Sequence, residues 1–259
     1  MPRTVNLDLP QSWQELSQLQ LEFLLKTMAS VHSSAVAAAG FSLDFERNAA
    51  RVQTLFLFHC NGLEIDSPYF DGWMLRKAGT EPFFVSAEQL LPAVALLDWS
   101  RLPPDYPVSL ESAAGTSGVD PALEDDFSFE SWLAAENIWQ GFLHTQDDSL
   151  LRQLAALLYP APKRDFKMFE LLGVFFWWAG LKNYFSVRFP AFFVRSSSGS
   201  GQEPPDRLAL QNSVDVQIRA LTKGDITKEA EVLSMPALRA LTELNALARE
   251  YSESKKYSK

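Results

Sequence analysis

The segment FKMFELLGVFFWWAGLKNYFSVRFPAFF, residues 166–193, contains 11 of the 32 aromatic residues of the chain within 28 positions. Its apolar side chains surround the predicted helix instead of forming one stripe, and a helix of this kind has to be covered on every side. The rest of the chain is therefore expected to pack around it. The sequence predicts a mostly α protein, a multi-helix domain around a buried aromatic helix, with one small β-hairpin.

The aromatic segment is too short an apolar run to favour membrane insertion. A membrane-spanning helix needs about 20 mostly apolar residues. The uninterrupted run here extends from Leu171 to Leu181, with Glu170 before it and Lys182 after it. A buried core helix is favoured over a membrane-surface helix, and no membrane span is expected.

The chain has 259 residues, of which 47% are hydrophobic, and a single cysteine, Cys60. One cysteine cannot form a disulfide within the chain, which favours a reducing, cytoplasmic location. The first 13 residues lack a basic region followed by an apolar run, so no signal peptide is expected.

The net charge of -9 is distributed unevenly. Residues 102–151 include ten acidic residues and no lysine or arginine, whereas residues 161–195 include six basic and two acidic residues. The acidic segment is interpreted as a solvated face that the basic segment partly compensates. The alternative is a surface for a basic protein partner. Both interpretations disfavour binding to nucleic acid through its phosphates.

Capping residues and apolar periodicity predict helices over 17–30, 44–60, 129–144, 149–159 and 166–188, and further helices after residue 207. Ser86 and Gln89 have capping-box spacing, but Pro92 fits only a first helical turn, which places the start of that helix nearer Leu91. The hairpin is predicted near residues 69–85.

The domain organisation follows from composition. Residues 1–195 are predicted to form the main helical domain, which includes a loop at 102–126 that is interpreted as mobile. The Ser/Gly/Pro-rich segment 196–206 predicts a flexible linker. Residues 207–259 are predicted to form a C-terminal helical appendage.

Motifs for standard nucleotide, zinc and calcium sites are absent from the sequence, so no catalytic residue, cofactor or metal ligand is predicted. His59 next to Cys60 could form a nucleophilic pair, but adjacent helical residues do not face each other. A packed histidine and a small buried thiol are favoured.

Two further groups allow a chemical interpretation and a structural one. The carboxylates of 124–126 and of Asp147–Asp148 could carry acid–base or metal chemistry, but solvated helix starts are favoured. Trp177 and Trp178 could stack on an aromatic ligand, but core packing is favoured because their neighbours are apolar.

A one-sided apolar stripe marks the last predicted helix. It could pack on its own domain or dock on a protein partner, and the preceding linker supports docking. The candidate docking residues are Leu238, Leu241, Leu244, Leu247 and Tyr251.

Four stretches carry a family resemblance. They are LPQSWQELSQLQLEFL (9–24), SWLAAENIWQGFL (131–143), WWAGLKNYFSVRFPAFF (177–193) and LTKGDITKEAEVLSMPALRALTELNALAREY (221–251). Together they resemble prophage-encoded proteins of Bacteroidetes-type bacteria. The resemblance implies an accessory role in phage tail assembly and supplies no functional residue.

The leading hypothesis is a non-enzymatic, protein-binding or assembly accessory protein, with phage structural proteins as candidate partners. The alternative is a small-ligand binder or enzyme of unknown reaction, lined by carboxylates and aromatic rings. That alternative predicts a deep pocket that contains Trp177 or Trp178 and at least two acids. A membrane-associated protein is the third hypothesis.

Overall fold

The structure is a computed structural model that describes residues 6–36, 48–122, 127–193 and 207–257, with side chains except at 32–36, 207–213 and 256–257. The chain divides into two compact units. Unit 1 consists of Met1–Pro104, Val108–Glu111 and Lys167–Trp177, and unit 2 consists of Asp105–Pro107, Ser112–Phe166 and Trp178–Lys259.

Helices dominate the described residues, which confirms the predicted mostly α class. They are α1 (Gln18–Val36), α2 (Ala49–Cys60), α3 (Ala87–Ala95), α4 (Phe129–Thr145), α5 (Asp148–Leu158), α6 (Met168–Arg188), α7 (Arg207–Thr222), α8 (Glu229–Ser234) and α9 (Ala237–Tyr257). Single 3-10 turns lie at Trp13–Glu15, Asp98–Arg101 and Ile226–Lys228. The strands are β1 (Leu63–Pro68), β2 (Gly72–Lys77), β3 (Phe83–Ser86), β4 (Ser112–Ala113) and β5 (Thr116–Ser117).

The predicted hairpin is present as β2 and β3, and it belongs to a three-stranded antiparallel sheet in the order β1-β2-β3. β1 was not predicted because its apolar residues Leu63 and Ile65 alternate with the acidic Glu64 and Asp66 over too short a distance. A bulge between Ile65 and Ser67 also interrupts its register with β2. The residues of β1 after Leu63 are mostly exposed, so the burial pattern that identifies a strand is weak.

The core of unit 1 is built from α1, α2 and the first half of α6. Leu25, Phe56 and Leu172 are almost completely buried in it, and the rings of Trp13 and Phe176 lie 4.6 Å apart. The indole of Trp13 also donates a hydrogen bond to the carbonyl of Leu102. Burial of the Trp13 ring and the hydrogen bond from its indole N–H therefore both hold the Trp13–Glu15 turn in place.

Asn61 lies at the C-terminal end of α2 and connects this helix to the N-terminal segment. Its buried amide donates to the carbonyl of Leu57 at 2.9 Å and to the carbonyl of Asp8 at 3.2 Å. Its Oδ1 accepts a hydrogen bond from the backbone N–H of Asp8 at 2.8 Å. The side chain thus closes the end of α2 and holds the N-terminal segment against it.

The core of unit 2 is built from α4, α5, α9 and the second half of α6. The ring of Trp132 in α4 lies 5.1 Å from that of Trp178 and 5.3 Å from that of Phe185, both in α6. A bridge between Ser128 and Pro236 joins the starts of α4 and α9. The predicted linker at 196–206 lies outside the described residues, so its flexibility stays a prediction.

The described part of the predicted loop at 102–126 ends at residue 122 and contains β4 and β5. The backbone N–H of Lys163 donates to the carbonyl of Ala114, which is buried, and the N–H of Val119 donates to the carbonyl of Leu158. Residues 112–119 of the segment therefore have hydrogen-bond partners within unit 2 despite their loop-like composition.

The predicted start of α3 near Leu91 is wrong, because the helix begins at Ala87. Ser86 and Gln89 form a complete capping box, which stabilises the first turn. Pro92 lies inside the helix with its ring exposed, and the helix ends three residues later at Ala95. The predicted start of α2 at residue 44 lies outside the described residues.

Among the helices that the structure describes, none is long and apolar enough to cross a membrane.

We expect Gly72→Ala to destabilise unit 1 by about 1–3 kcal/mol, as overpacking typically does. A Cβ at this position would lie 2.2 Å from the carbonyl oxygen of Val85, so β2 and β3 would have to separate. The midpoint of urea unfolding, followed by circular dichroism, measures the effect.

Gly79→Asn is the matched control in the turn between the same two strands. Gly79 has a φ of +77°, and a Cβ added there would meet no atom within 4 Å. Asparagine tolerates this backbone conformation better than most residues do. Equal destabilisation by both substitutions would contradict the steric explanation.

Candidate functional site

His59 and Cys60, the possible nucleophilic pair, do not form one. The imidazole of His59 stacks on the ring of Phe23 with centroids 3.7 Å apart, and burial lowers its pKa. Burial raises the pKa of the Cys60 thiol to about 11, although a hydrogen bond from Gln20 opposes the shift. The thiol is therefore protonated at neutral pH and is a poor nucleophile.

The carboxylates of Asp147 and Asp148 have structural partners. Asp147 accepts a hydrogen bond from the backbone N–H of Ser149, which lowers its pKa, and caps α5. Asp148 pairs with Arg152 one turn later at 3.3 Å. The acids at 124–126 lie outside the described residues, and within the described part of the chain no cluster of three or more metal-binding side chains occurs.

The predicted docking stripe of α9 is only partly accessible. Leu241 and Leu244 are buried in unit 2, where α9 packs against α4 and α7. Leu238 and Leu247 are half-buried, and Tyr251 is exposed. The five residues therefore do not form one free surface, because the protein covers the centre of the stripe itself.

Unit 2 contains a cavity of about 450 Å³ beside α4 and α6, which we call the unit 2 cavity. Most of its lining side chains are aromatic, aliphatic or amide groups, and one cation and one carboxylate lie among them. The lining residues are Trp132, Leu133, Glu136, Asn137, Gln140, Lys182, Phe192, Phe193, Val214, Val216 and Gln217.

Lys182 is the central charged group of the unit 2 cavity. Its Nζ lies 2.9 Å from Oε2 of Glu136, and the two side chains are only 22% and 24% exposed. The same Nζ lies 4.7 Å from the ring centroid of Phe193 and 5.4 Å from that of Trp132. One carboxylate and two aromatic rings therefore hold the ammonium in place by charge and cation–π attraction.

The spacing of residues on α4 creates one wall of the cavity. Trp132, Glu136 and Gln140 follow each other at intervals of four residues and share one face of the helix. Nε2 of Gln140 donates to Oε1 of Glu136 at 2.8 Å, which orients the carboxylate toward Lys182.

The turn after α6 creates the opposite wall. Pro190 follows the helix, and Phe192 and Phe193 return toward it through hydrogen bonds to the carbonyl of Phe189. Oδ1 of Asn245 in α9 accepts from the backbone N–H groups of Ala191 and Phe192 at 2.9 and 3.2 Å. The two phenylalanine rings therefore stand on a turn that α9 holds in place.

The alternative hypothesis placed Trp177 or Trp178 and at least two acids around a pocket. Neither Trp177 nor Trp178 lines the unit 2 cavity, and Glu136 is the one acid of its described lining. Trp177 and Trp178 are 2% and 0% exposed, which agrees with the favoured interpretation of core packing. Trp132 lines the cavity, with the ring of Trp178 packed against it.

Lys182 and Glu136 were not predicted as a pair. The one available signal was charge. The basic segment 161–195, which includes Lys182, was expected to compensate the acidic segment 102–151, which includes Glu136. Charge totals give no partner assignment, because residues 46 positions apart meet only through the packing of α4 and α6.

Unit 1 exposes a second feature, an aromatic cluster that we call the aromatic tip, consisting of Tyr69, Phe70 and Phe84. The rings of Tyr69 and Phe84 meet edge to face at 5.7 Å, and Phe70 is fully exposed in the β1–β2 turn. The N–H of Tyr69 donates to the carbonyl of Gly72 at 2.8 Å, which closes this turn.

Comparison of the chain with protein-family models, curated proteins and solved structures finds no match in any of the three. The resemblance to prophage-encoded proteins therefore stays a prediction. Function has to be inferred from the chemistry of the unit 2 cavity and the aromatic tip.

We expect Cys60 to react with a disulfide reagent at pH 8 at least roughly tenfold more slowly than the same thiol in the unfolded chain, because the loss of thiolate outweighs its higher nucleophilicity. A pKa raised to about 11 leaves much less thiolate at this pH than an ordinary thiol has. Stopped-flow absorbance in native buffer and in denaturant gives the two rates. Equal rates would contradict the assignment of Cys60 as an inert thiol.

Proposed function

We propose that the protein is a non-enzymatic binding protein whose unit 2 cavity takes a small organic molecule. The observation that carries this proposal is the position of Lys182, paired with Glu136 and held between Phe193 and Trp132 at the cavity wall. A volume of about 450 Å³ is within the usual range for small-molecule sites, which combine apolar walls with a few polar groups.

Binding is favoured over catalysis because the two ionisable groups of the described lining neutralise each other. A general base or nucleophile needs a reactive group that is available to the substrate. Oε1 of Glu136 accepts from Gln140, and its Oε2 is buried against the Lys182 ammonium. The carboxylate of Glu136 is therefore already engaged with one amide and one ammonium of the protein.

Protein binding, the leading hypothesis from the sequence, is a second candidate function, and the aromatic tip favours it. Exposed aromatic side chains are typical anchors at protein interfaces. Residues 63–90 around the tip have five acidic and two basic side chains. We therefore propose a protein partner with an apolar pocket surrounded by basic groups. Phage assembly is one setting for such a partner and stays a prediction.

Val216→Trp should abolish ligand binding to the unit 2 cavity. Val216 lines the cavity and is 66% exposed, so an indole can be placed there at little cost to folding and will fill the space. Ligand-observed NMR with a library of aromatic fragments should identify fragments that bind the wild-type chain and lose at least roughly tenfold in affinity with this variant.

Val187→Trp is the matched control, because Val187 is 76% exposed on α6 and is not part of the lining. Fragments should bind this variant as they bind the wild type. A library in which no fragment binds, or in which both variants bind equally, would contradict ligand binding at this cavity.

Phe70→Ser should weaken partner binding at the aromatic tip by at least roughly tenfold, since a central aromatic anchor is typically worth about 2 kcal/mol or more. Affinity capture with immobilised chain should retain a partner at low salt and release it at high salt. The purified partner should then show the same dependence on Phe70 by calorimetry.

Leu91→Ser is the control for this experiment, because Leu91 is 63% exposed on α3 and lies outside the aromatic tip. A partner that binds the wild type, Phe70→Ser and Leu91→Ser equally would contradict docking at the aromatic tip. A partner whose affinity does not depend on salt concentration would also contradict it.

A further inference from the structure

The described lining of the unit 2 cavity carries no net charge, and this constrains its ligand. Glu136 and Lys182 are the charged side chains of its described lining, and their charges cancel. Both are about three-quarters buried, so solvent screens them less than it screens a surface pair. A ligand with a net charge would have to separate this pair or remain without a counter-charge, and both alternatives are unfavourable.

Lys182 is the member of the pair that supplies hydrogen-bond donors to the lining of the cavity. Oε2 of Glu136 is buried beside Lys182, and Oε1 already accepts a hydrogen bond from Gln140. A lysine ammonium has three N–H donors, and Glu136 is the one carboxylate near Nζ within the described chain. A ligand that completes the site therefore has to bring an acceptor, such as a carbonyl oxygen.

Apart from the amides of Asn137, Gln140 and Gln217, the remaining described lining is apolar. Trp132, Phe192 and Phe193 contribute rings, and aliphatic side chains lie among them. The aliphatic residues are Leu133, Val214 and Val216. Aromatic rings prefer offset or edge-to-face contact with another ring, which is worth about 0.5–1.5 kcal/mol beyond the burial of area. A planar aromatic body fits this wall better than a flexible polar one.

We propose that the ligand is an uncharged aromatic compound with a carbonyl oxygen that accepts a hydrogen bond from Nζ of Lys182, the chemistry of an aromatic amide. This inference rests on the proposed binding function and assigns its ligand class. Lys182 recognises the carbonyl, the aromatic and aliphatic side chains hold the ring, and Glu136 keeps Lys182 in place and the site neutral.

Three probes with the same ring system test the ligand class: 2-naphthamide, 2-naphthoate and 2-naphthylmethylammonium. They are neutral, negative and positive near neutral pH. Calorimetric titration of the wild-type chain should give the tightest binding for 2-naphthamide, by at least roughly tenfold over either ion, because the described lining offers neither ion a free counter-charge. Tightest binding of either ion would overturn the proposal.

Glu136→Gln provides a second test, because it removes the negative charge and leaves Lys182 as the one charged group of the described lining. The preference should then change to 2-naphthoate. Glu130→Gln is the control, since Glu130 is exposed on the same helix and outside the cavity, and it should keep the wild-type order. An unchanged order in Glu136→Gln would overturn the role of the pair.

The two proposals fail in different ways. If none of the three probes binds and no fragment from the library binds, the binding function itself is contradicted. If probes bind and Val216→Trp abolishes their binding, but an ion binds most tightly to the wild type, the ligand class alone is wrong. The order measured with the wild-type chain decides this even if Glu136→Gln does not fold.

Discussion

Helix α6 imposes the main constraint on this protein, because its apolar side chains face in every direction and most of them are removed from water. Leu172 and Phe176 are buried in the core of unit 1, and Trp178 and Phe185 are buried in the core of unit 2. Burying each such side chain contributes about 1.5–3 kcal/mol. The hydrophobic effect is non-directional, however, and does not by itself fix the positions of polar groups. The position of the functional groups therefore depends on the polar side chains that lie among the apolar ones.

Lys182 is such an exception, since it follows the apolar run of α6 and cannot be covered by apolar side chains alone. An ammonium that is removed from water needs an opposite charge or a polarisable surface close by. Glu136 supplies the charge, and the faces of Trp132 and Phe193 supply the surface. The cavity is thus a consequence of placing one cation in a region that the surrounding helices otherwise fill with rings.

The fold could be predicted from the sequence where the signal is local. The cap at Ser128 and the apolar pattern of α6 are contained within a few consecutive residues, and each corresponds to a helix in the structure. The capping box at Ser86 is equally local, but Pro92 was given more weight and the predicted start of α3 was wrong. β1 was missed because its signal depends on pairing with β2. The candidate site depends still more on contacts between distant segments, since Trp132 and Lys182 come from different helices. Within its own segment, Trp132 resembles an ordinary core residue and Lys182 an ordinary surface residue.

Buried ion pairs are in general weak contributors to folding, and this favours the proposed role of the Lys182–Glu136 pair in binding. Removing two charges from water costs several kcal/mol, and their attraction often does no more than offset that cost. Apolar residues of similar size at positions 136 and 182 would satisfy the packing of α4 against α6 equally well, and would leave the rings of Trp132 and Phe193 in contact with aliphatic groups. They would also leave a cavity whose described lining has amides as its remaining polar groups and no charge. The charged pair adds a directed hydrogen-bond donor at a fixed place on the wall, and fixed donors select one ligand over another of the same shape. We therefore infer that the pair contributes more to the choice of ligand than to the stability of unit 2.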